Sequence, residues 1–157
     1  MLELRVPGRD PITVEHLVLD FNGTLAVDGV LLPGVAERIR ELAGHLAVHV
    51  ITADTYGGAR AQTAGLPVTL QVIGPGDQTA AKRALVEALG PDSVVAVGNG
   101  ANDRLMLERA ALSICVLEAE GAATAALLAA DVVVRSPVEA LDMLVRPGRL
   151  AATLRVS

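Results

Sequence analysis

The sequence predicts an α/β protein with three layers, in which a doubly wound, mainly parallel β-sheet lies between two layers of helices. Apolar runs of strand length alternate with helix-length amphipathic segments, and the connections between them are short. Strands that are apolar throughout are typical of a parallel sheet covered on both faces. Fifteen glycines and eight prolines indicate many turns. With one Phe, one Tyr and no Trp, the core must be aliphatic.

The first half of the chain is predicted to contain four strands, a hairpin and two helices. "LELRV" and "ITVEHLVLD" are strands separated by "PGRDP", and "GTLAVDGVLLPG" is a small hairpin near the N-terminus that turns at Asp28 and Gly29. "GVAERIRELAGH" is a helix with Val35, Ile39 and Leu42 on one face. The strand "LAVHVIT", the short helix "YGGARAQTAG" and the strand "LPVTLQVI" follow.

The second half continues the alternation. "DQTAAKRALVEALG" is a helix with Asp77 as its N-cap and Gly90 at its C-terminal end. "SVVAVGN" and "LSICVLE" are strands on either side of the helix "ANDRLMLERA", and "GAATAALLAA", "DVVVR" and "PVEALDMLV" complete the pattern. The tail "RPGRLAATLRVS" fits neither pattern. Because no repeat or linker interrupts the series, residues 1–157 are expected to form a single domain.

Charge and hydropathy exclude several classes of partner. The net charge of -5 gives no electrostatic reason to expect nucleic acid or an anionic membrane. The first residues are charged and alternating, which is unlike a signal peptide, and the least polar stretch, Gly121 to Val134, is too short to span a bilayer. We therefore expect a cytoplasmic protein. Cys115 lies in an apolar run and is expected to be a buried thiol.

Polar residues follow three of the predicted strands. "HLVL" leads into Asp20, "VHVI" leads into Thr52, and "VVAV" leads into "GNGAND", which contains Asn99, Asn102 and Asp103. Ligands in parallel α/β sheets bind beyond the carboxyl ends of the strands, where the strand order reverses. These residues therefore form a candidate site. Taken singly, each has an ordinary alternative as a turn or helix-cap residue.

Phosphoryl transfer is the chemistry that suits this set. A carboxylate that attacks phosphorus forms an acyl phosphate, and a divalent cation such as Mg²⁺ must bridge the two anions. Asp20, a carbonyl near Asn22, and "GNGAND" could supply the metal with oxygen ligands. Thr52 and Lys82 could hold the other phosphoryl oxygens. Lys82 is the single lysine beside twelve arginines, which favours a position that needs a compact ammonium group.

These residues resemble the motifs of the haloacid dehalogenase superfamily of phosphohydrolases. The first motif of that family, Asp-x-Asp-Gly-Thr, is similar to "DFNGT", and the fourth, Gly-Asp-Gly-x-Asn-Asp, is similar to "GNGAND". Thr52 and Lys82 match the second and third motifs. The resemblance covers roughly residues 14 to 135. Within the superfamily, the chain looks closest to the catalytic domain of P-type ATPases, whose Asp-Lys-Thr-Gly-Thr motif also lacks the second acid.

The resemblance implies a Rossmann-like fold and a role for each matched residue. Asp20 is expected to be the nucleophile, with Asn22 in the general acid/base position and offering its carbonyl to Mg²⁺. The residues expected to be catalytic are Asp20, Asn22, Thr52 and Lys82. Those expected to bind the phosphorylated substrate are Gly23, Thr24, Thr52, Lys82 and Asn102. Those expected to hold Mg²⁺ are Asp20, Asn22, Asn99 and Asp103.

Asn22 and Asn99 each replace an acid of the family motif by its amide. An amide cannot exchange a proton at neutral pH, so the expected enzyme is a Mg²⁺-dependent phosphohydrolase whose aspartyl phosphate is hydrolysed slowly. A binding or regulatory protein that kept the scaffold and lost turnover is the alternative. A receiver domain fits less well because its phosphorylated Asp follows a later strand. A dinucleotide-binding reading of "GNG" fails because the third glycine is missing.

No segment between the motifs is long enough for the cap domain that many members of the family carry. The intervals contain only the hairpin and one helix, and then one helix-strand-helix unit. The site is therefore expected to be open. An open site favours a bulky or macromolecular phosphorylated substrate, or a homo-oligomer in which a neighbouring subunit closes it.

Overall fold

The computed structural model describes residues 1–157. The strands are β1 (Leu2–Leu4), β2 (Ile12–Val14), β3 (His16–Asp20), β4 (Ala26–Val27), β5 (Val30–Leu31), β6 (Ala47–Thr52), β7 (Val68–Val72), β8 (Val94–Gly98), β9 (Leu112–Val116) and β10 (Val132–Val134). The helices are α1 (Val35–Ala43), α2 (Ala59–Thr63), α3 (Gln78–Leu89), α4 (Arg104–Arg109), α5 (Thr124–Ala129), α6 (Pro137–Val145) and α7 (Pro147–Leu154). None of these helices combines the length and the apolar character that crossing a membrane requires.

Six strands form one parallel sheet in the order β10-β9-β8-β3-β6-β7. From β3 the chain runs outward through β6 and β7, and it then returns to the other side of β3 to form β8, β9 and β10. The strand order therefore reverses between β3 and β8. In an open α/β sheet this reversal opens a crevice beyond the carboxyl ends of the two strands, which is where ligands bind.

Helices cover both faces of the sheet, which confirms the predicted three layers. On one face, α1, α6 and α7 pack on a core of 25 buried residues, and on the other face α3, α4 and α5 pack on a core of 10. Successive side chains of β3 alternate between the two cores, with Leu17 and Leu19 on one side and Val18 on the other. Strand β3 is thus buried on both faces, and its acidic residue, Asp20, lies at its carboxyl end.

The predicted hairpin near the N-terminus consists of the antiparallel strands β4 and β5. Its turn residues, Asp28 and Gly29, both have left-handed backbone conformations, with φ values of 51° and 80°. A two-residue hairpin turn of this kind requires positive φ at both positions. The chain between β3 and α1 holds only this hairpin, and the chain between β6 and α3 holds only α2 and β7. No cap segment is inserted, as the sequence predicts.

The structure differs from the sequence prediction at two segments. "ITVEHLVLD" forms two strands rather than one, because the peptide groups of Glu15 bond to Ser93 and Ala47 between β2 and β3. β2 pairs with β1 in a second antiparallel hairpin, and β3 joins the large sheet. The tail forms a helix, α7, with Pro147 in its first turn and Leu150 buried. The predicted buried thiol of Cys115 is confirmed.

Candidate active site

A polar cavity of about 210 Å³ lies at the carboxyl ends of β3, β6 and β8. Nine of its eleven lining residues are polar or glycine. The lining residues are Asp20, Asn22, Thr52, Ala53, Thr55, Tyr56, Lys82, Asn99, Gly100, Asn102 and Glu120. Six of the residues predicted for the site therefore share one cavity. It lies at the reversal of strand order, where the fold is expected to bind its ligand.

The residues predicted for the site account for most of the buried polar side chains of the protein. Seven polar or charged residues are buried, and five of them are predicted site residues, namely Asp20, Thr24, Thr52, Lys82 and Asp103. Burial of polar groups costs free energy unless they are hydrogen-bonded, and burial of charges costs more. The buried charges of this protein are concentrated where chemistry was predicted.

Asp20 ends β3 and is held by two neighbours. Lys82 Nζ donates to Asp20 Oδ1 at 2.8 Å, and Thr24 Oγ1 donates to Asp20 Oδ2 at 2.9 Å. The Asp20 residue is only 5% exposed, yet it lines the cavity. Its carboxylate is thus fixed in orientation at the cavity wall, as a nucleophile that must meet its target in one geometry requires.

The ammonium group of Lys82 uses all three of its donors inside the protein. Besides Asp20, it donates to Asp103 Oδ1 at 2.7 Å and to Asn102 Oδ1 at 3.2 Å. Asn102 in turn donates through Nδ2 to Gln78 Oε1 at 3.2 Å. Lys82 comes from α3, whereas Asn102 and Asp103 come from the 3-10 turn that precedes α4. One buried ammonium therefore joins the chain segments that follow β3 and β8.

Asp103 lies behind Lys82 rather than on the cavity wall. Its Oδ2 accepts hydrogen bonds from the backbone N–H groups of Asn99 at 3.0 Å and Gly100 at 2.9 Å, and the residue has no exposed surface. Gly98 makes this approach possible, since a Cβ atom there would lie 2.6 Å from Asp103 Cγ. A direct bond from Asp103 to a metal would need its contact with Lys82 to open, so its predicted ligand role stays a prediction.

The buried charges around Lys82 shift the pKa values of Asp20 and Lys82. Burial and the neighbouring Asp103 carboxylate raise the pKa of Asp20 to about 7, although Lys82 and Thr24 act in the opposite direction. Burial lowers the pKa of Lys82, but the attraction of Asp20 and Asp103 outweighs it and the pKa lies above its ordinary value. Lys82 is therefore charged at neutral pH. With both carboxylates ionised, the group carries one uncompensated negative charge, which favours a bound cation.

Thr24 and Asn99 continue the network toward the loop after β9. Thr24 Oγ1 lies 2.9 Å from Asp20 Oδ2 and 3.1 Å from Asn99 Oδ1, so one hydroxyl proton serves two acceptors. Asn99 Nδ2 donates to the carbonyl of Gly121 at 3.1 Å. Gly23, with φ 79°, lies against Asn99, and a Cβ atom there would be 2.3 Å from Asn99 Nδ2. The missing side chain at Gly23 is what allows Asn99 to lie this close.

Asn22 has the one side-chain atom in the protein that is buried and without a hydrogen-bond partner. This atom is its Oδ1, on a side chain that lines the cavity. A buried acceptor left unpaired costs about 1–3 kcal/mol, so such atoms are uncommon in folded proteins. An oxygen in this state, beside Asp20, is a suitable ligand for a hard cation.

Thr52 ends β6 and presents its hydroxyl to the cavity. Its Oγ1 accepts a hydrogen bond from the backbone N–H of Asp54 at 2.9 Å, which leaves the hydroxyl proton free to donate. The residue is 1% exposed. Asp54 has φ 55° and accepts a bond from the N–H of Ala59 at the start of α2. The loop after β6 is therefore braced so that Thr52 can donate to a ligand.

Sequence reasoning missed four lining residues, Ala53, Thr55, Tyr56 and Glu120. Glu120 Oε2 accepts a hydrogen bond at 3.0 Å from the backbone N–H of Asp28 at the hairpin tip. Gly29 packs against Tyr56, since a Cβ atom there would be 3.0 Å from Tyr56 Cβ. The four residues follow the carboxyl ends of β6 and β9, so the strand-end rule applied to every loop would have indicated them.

No group of three or more His, Cys, Asp or Glu side chains is arranged to hold a metal. Of the residues predicted to hold the metal, the three that line the cavity are Asp20, Asn22 and Asn99, which offer one carboxylate and two amide oxygens. Mg²⁺ prefers oxygen ligands and commonly retains several waters while it is held by one or two carboxylates. The donor set therefore matches Mg²⁺ in kind, with less negative charge than a site built from several carboxylates.

No protein-family model matches the chain. It is 40% identical over 84 residues to an uncharacterized protein of Methanocaldococcus jannaschii, and the match covers 51% of this chain and 90% of that protein. A second uncharacterized protein of the same organism is 41% identical over 39 residues, which are 25% of this chain and 89% of that protein.

Solved structures of phosphatases share the fold. The cobalt-bound deoxy-D-mannose-octulosonate 8-phosphate phosphatase of Haemophilus influenzae superposes with a TM-score of 0.71 at 17% identity, covering 89% of this chain and 92% of that chain. A HAD superfamily (subfamily III A) hydrolase of Legionella pneumophila gives 0.70 at 18% identity, covering 90% and 87%. The Moraxella catarrhalis 3-deoxy-D-manno-octulosonate 8-phosphate phosphatase, in complex with magnesium, phosphate and KDO, gives 0.69 at 15% identity, covering 90% and 94%. At these identities the likeness establishes the fold.

Proposed function

The chain belongs to the same family as the uncharacterized protein of Methanocaldococcus jannaschii and has the fold of the haloacid dehalogenase superfamily, and from this premise we propose that it is a Mg²⁺-dependent phosphohydrolase. Its reaction proceeds through an aspartyl phosphate on Asp20. The observation that carries the proposal is the position of Asp20, a buried carboxylate at the end of β3 that is oriented by Lys82 and Thr24 toward a polar cavity.

The residues present fit a magnesium ion. Asn22 Oδ1 has no hydrogen-bond partner, and the oxygens of Asp20 and Asn99 share the single hydroxyl proton of Thr24. These oxygens can therefore bind a cation. Asp20, an oxygen of Asn22 and Asn99 Oδ1 would hold the ion, and Asp103 would join them only if it released Lys82. When bound, Mg²⁺ would supply positive charge between the Asp20 carboxylate and the phosphoryl oxygens of the substrate.

Three side chains of the cavity have separate roles in the first step, the transfer of the phosphoryl group to Asp20. Asp20 attacks the phosphorus atom, the bond from phosphorus to the leaving oxygen breaks, and the leaving group departs with the electron pair. Thr52 donates its free hydroxyl proton to a phosphoryl oxygen. Lys82 gives up part of its bonding within the protein to bind a second phosphoryl oxygen, and it holds Asp20 in line throughout.

Asn22 makes hydrolysis of the aspartyl phosphate the slow step. General acid/base catalysis typically contributes about 10²–10⁴-fold, and an amide cannot provide it. A good leaving group departs without a proton, so the first step is affected less than the attack of water. The resemblance of "DFNGT" to the P-type ATPase motif supports the same division, because that motif also lacks the second acid.

Turnover with three substrates tests the proposal. Wild type, Asn22→Asp and Asp20→Asn are assayed with Mg²⁺ on p-nitrophenyl phosphate, on ATP and on a sugar phosphate, the last because two fold neighbours are phosphatases of an octulosonate 8-phosphate. We expect slow hydrolysis by wild type, turnover about 10²-fold faster in Asn22→Asp, and none in Asp20→Asn.

Inert wild type and inert Asn22→Asp on all three substrates would contradict the proposal. In that case, binding of Mg²⁺ with a phosphate mimic such as beryllium fluoride decides for the alternative, a binding or regulatory protein on the same scaffold. The amides at positions 22 and 99 favour that alternative, since each removes a charge that turnover would use.

A further inference from the structure

We propose, on the basis of the phosphohydrolase function above, that Glu120 is the general base that Asn22 cannot be. It would accept the proton of the water that hydrolyses the aspartyl phosphate. The cavity contains two carboxylates along its wall, Asp20 and Glu120. Asp20 carries the phosphoryl group at this stage, so the carboxylate left for the water is that of Glu120.

One hydrogen bond from the hairpin orients the carboxylate of Glu120. At the hairpin tip, the backbone N–H of Asp28 donates to Glu120 Oε2 at 3.0 Å, while Oε1 makes no hydrogen bond within the protein. One oxygen thus orients the carboxylate and the other remains available for a water molecule. The side chain is exposed toward the open cavity, where water has direct access.

The loop that carries Glu120 is anchored to the catalytic network by Asn99. Asn99 Nδ2 donates to the carbonyl of Gly121 at 3.1 Å, and the carbonyl of Asn99 accepts from the N–H of Ala123 at 2.8 Å. An aspartate at position 99 would have no side-chain N–H for the first of these bonds. The amide of Asn99 therefore anchors the loop that carries Glu120. The amide of Asn22, by contrast, removes the usual base.

The proposed step balances in atoms and charge. The water oxygen forms a bond to phosphorus as Glu120 Oε1 takes one of its protons, and the bond between phosphorus and Asp20 Oδ breaks with its electron pair remaining on Asp20. The products are inorganic phosphate, the free Asp20 carboxylate and a protonated Glu120, which then loses its proton to solvent.

Quenched-flow kinetics with p-nitrophenyl phosphate test the assignment. Its leaving group departs as p-nitrophenolate without a proton, so the release of p-nitrophenolate reports the first step, and acid-trapped phosphoprotein reports the second. We expect Glu120→Gln to retain the first-turnover rate, lower the steady-state rate about 10²-fold and accumulate phosphorylated Asp20. Glu118→Gln is the matched control, because Glu118 lies in the same loop but does not line the cavity. It should behave as wild type.

Rescue distinguishes a base from a structural contact. Asn22→Asp introduced into Glu120→Gln should restore the steady-state rate and remove the phosphoprotein, because it supplies a base at another position that lines the cavity. A steady-state rate in Glu120→Gln equal to that of Glu118→Gln would overturn the inference while leaving the proposed function intact. Absence of both phosphoprotein and turnover in wild type would instead overturn the proposed function, and this inference with it.

Discussion

Lys82 Nζ lies 2.8 Å from Asp20 Oδ1, and the two side chains are only 1% and 8% exposed. The same ammonium lies 2.7 Å from Asp103 Oδ1. Within the protein itself, a single buried cation therefore offsets two buried carboxylates. The residues proposed for catalysis therefore also determine the stability of the fold, and substitutions can test the two roles separately.

Lys82→Met should destabilise the fold strongly. Removing one partner of a buried ion pair leaves uncompensated charge, which costs about 3–5 kcal/mol of unfolding free energy. Urea unfolding at pH 8 measures the loss, and it should be smaller at pH 5, where Asp20 is protonated. Arg83→Met is the control, because Arg83 is 46% exposed and pairs on the surface with Glu87. Its expected cost is below about 1 kcal/mol. Equal costs for the two variants would contradict the role given to Lys82.

The stability of the metal-free protein should fall as pH rises from about 4 to about 7. The pKa of Asp20 is raised from 3.8 to about 7 by burial and by Asp103. Between these values the folded protein binds a proton that the unfolded chain has released, so deprotonation favours unfolding. Below this window the contribution is fully present, and above it the contribution is lost. Urea unfolding in EDTA at a series of pH values measures the slope.

Asp20→Asn removes the group that titrates in this window while keeping its shape. Its unfolding free energy should therefore vary less between pH 4 and pH 7, and at pH 8 it should exceed that of wild type. If wild type and Asp20→Asn gave parallel pH profiles across this range, another group would be responsible for the slope.

Gly98→Ala should damage both stability and the site. A Cβ atom at this position would lie 2.6 Å from Asp103 Cγ and Oδ2, which must shift and so disturb the contact with Lys82. We expect a loss of about 1–3 kcal/mol in unfolding free energy, typical of overpacking, with loss of turnover. Gly148→Ala is the matched control, since Gly148 lies in α7 and a Cβ atom there would have no neighbouring atom within 4 Å. It should stabilise by about 0.5–1 kcal/mol.

Asn99→Asp should separate magnesium affinity from stability. The added negative charge should lower the Mg²⁺ concentration needed for half-maximal turnover, which a titration of the EDTA-treated protein measures. The same change removes the bond from Asn99 Nδ2 to Gly121, so the metal-free variant should lose about 1 kcal/mol of unfolding free energy. Unchanged magnesium dependence would argue against Asn99 as a ligand.

Much of the fold follows from the sequence because its central strands are nearly continuous apolar runs. Such segments must be buried on both faces, so their alternation with helices predicts the parallel sheet, and the sheet predicts that Asp20 and Thr52 meet at one edge. The break at Glu15 was missed because no glycine or proline separates β2 from β3 in the sequence. The helix α7 was missed because its first turn contains Pro147 and Gly148, which in sequence resemble a loop.

The pairings within the site could not be predicted from the sequence. The order of motifs indicates that Lys82 and Asp103 lie near Asp20, but it does not say that one ammonium joins both carboxylates. Nor does it say that Asp103 is fully buried and does not line the cavity, since this depends on the turn geometry after Gly98. Glu120 was missed because a single acid in a loop carries no motif, and its hydrogen bond with the hairpin tip cannot be read from the sequence.

All three N–H donors of Lys82 are used within the protein. Asp20, Asn102 and Asp103 therefore compete with an incoming phosphoryl group for the ammonium group. A phosphoryl group must displace at least one of the three oxygens that hold the ammonium group. Affinity for an incoming anion is therefore lowered by whatever stabilises the resting contacts. Substitutions that make the resting protein more robust should weaken capture of the anion, so this cluster is where a trade-off between stability and activity should be steepest.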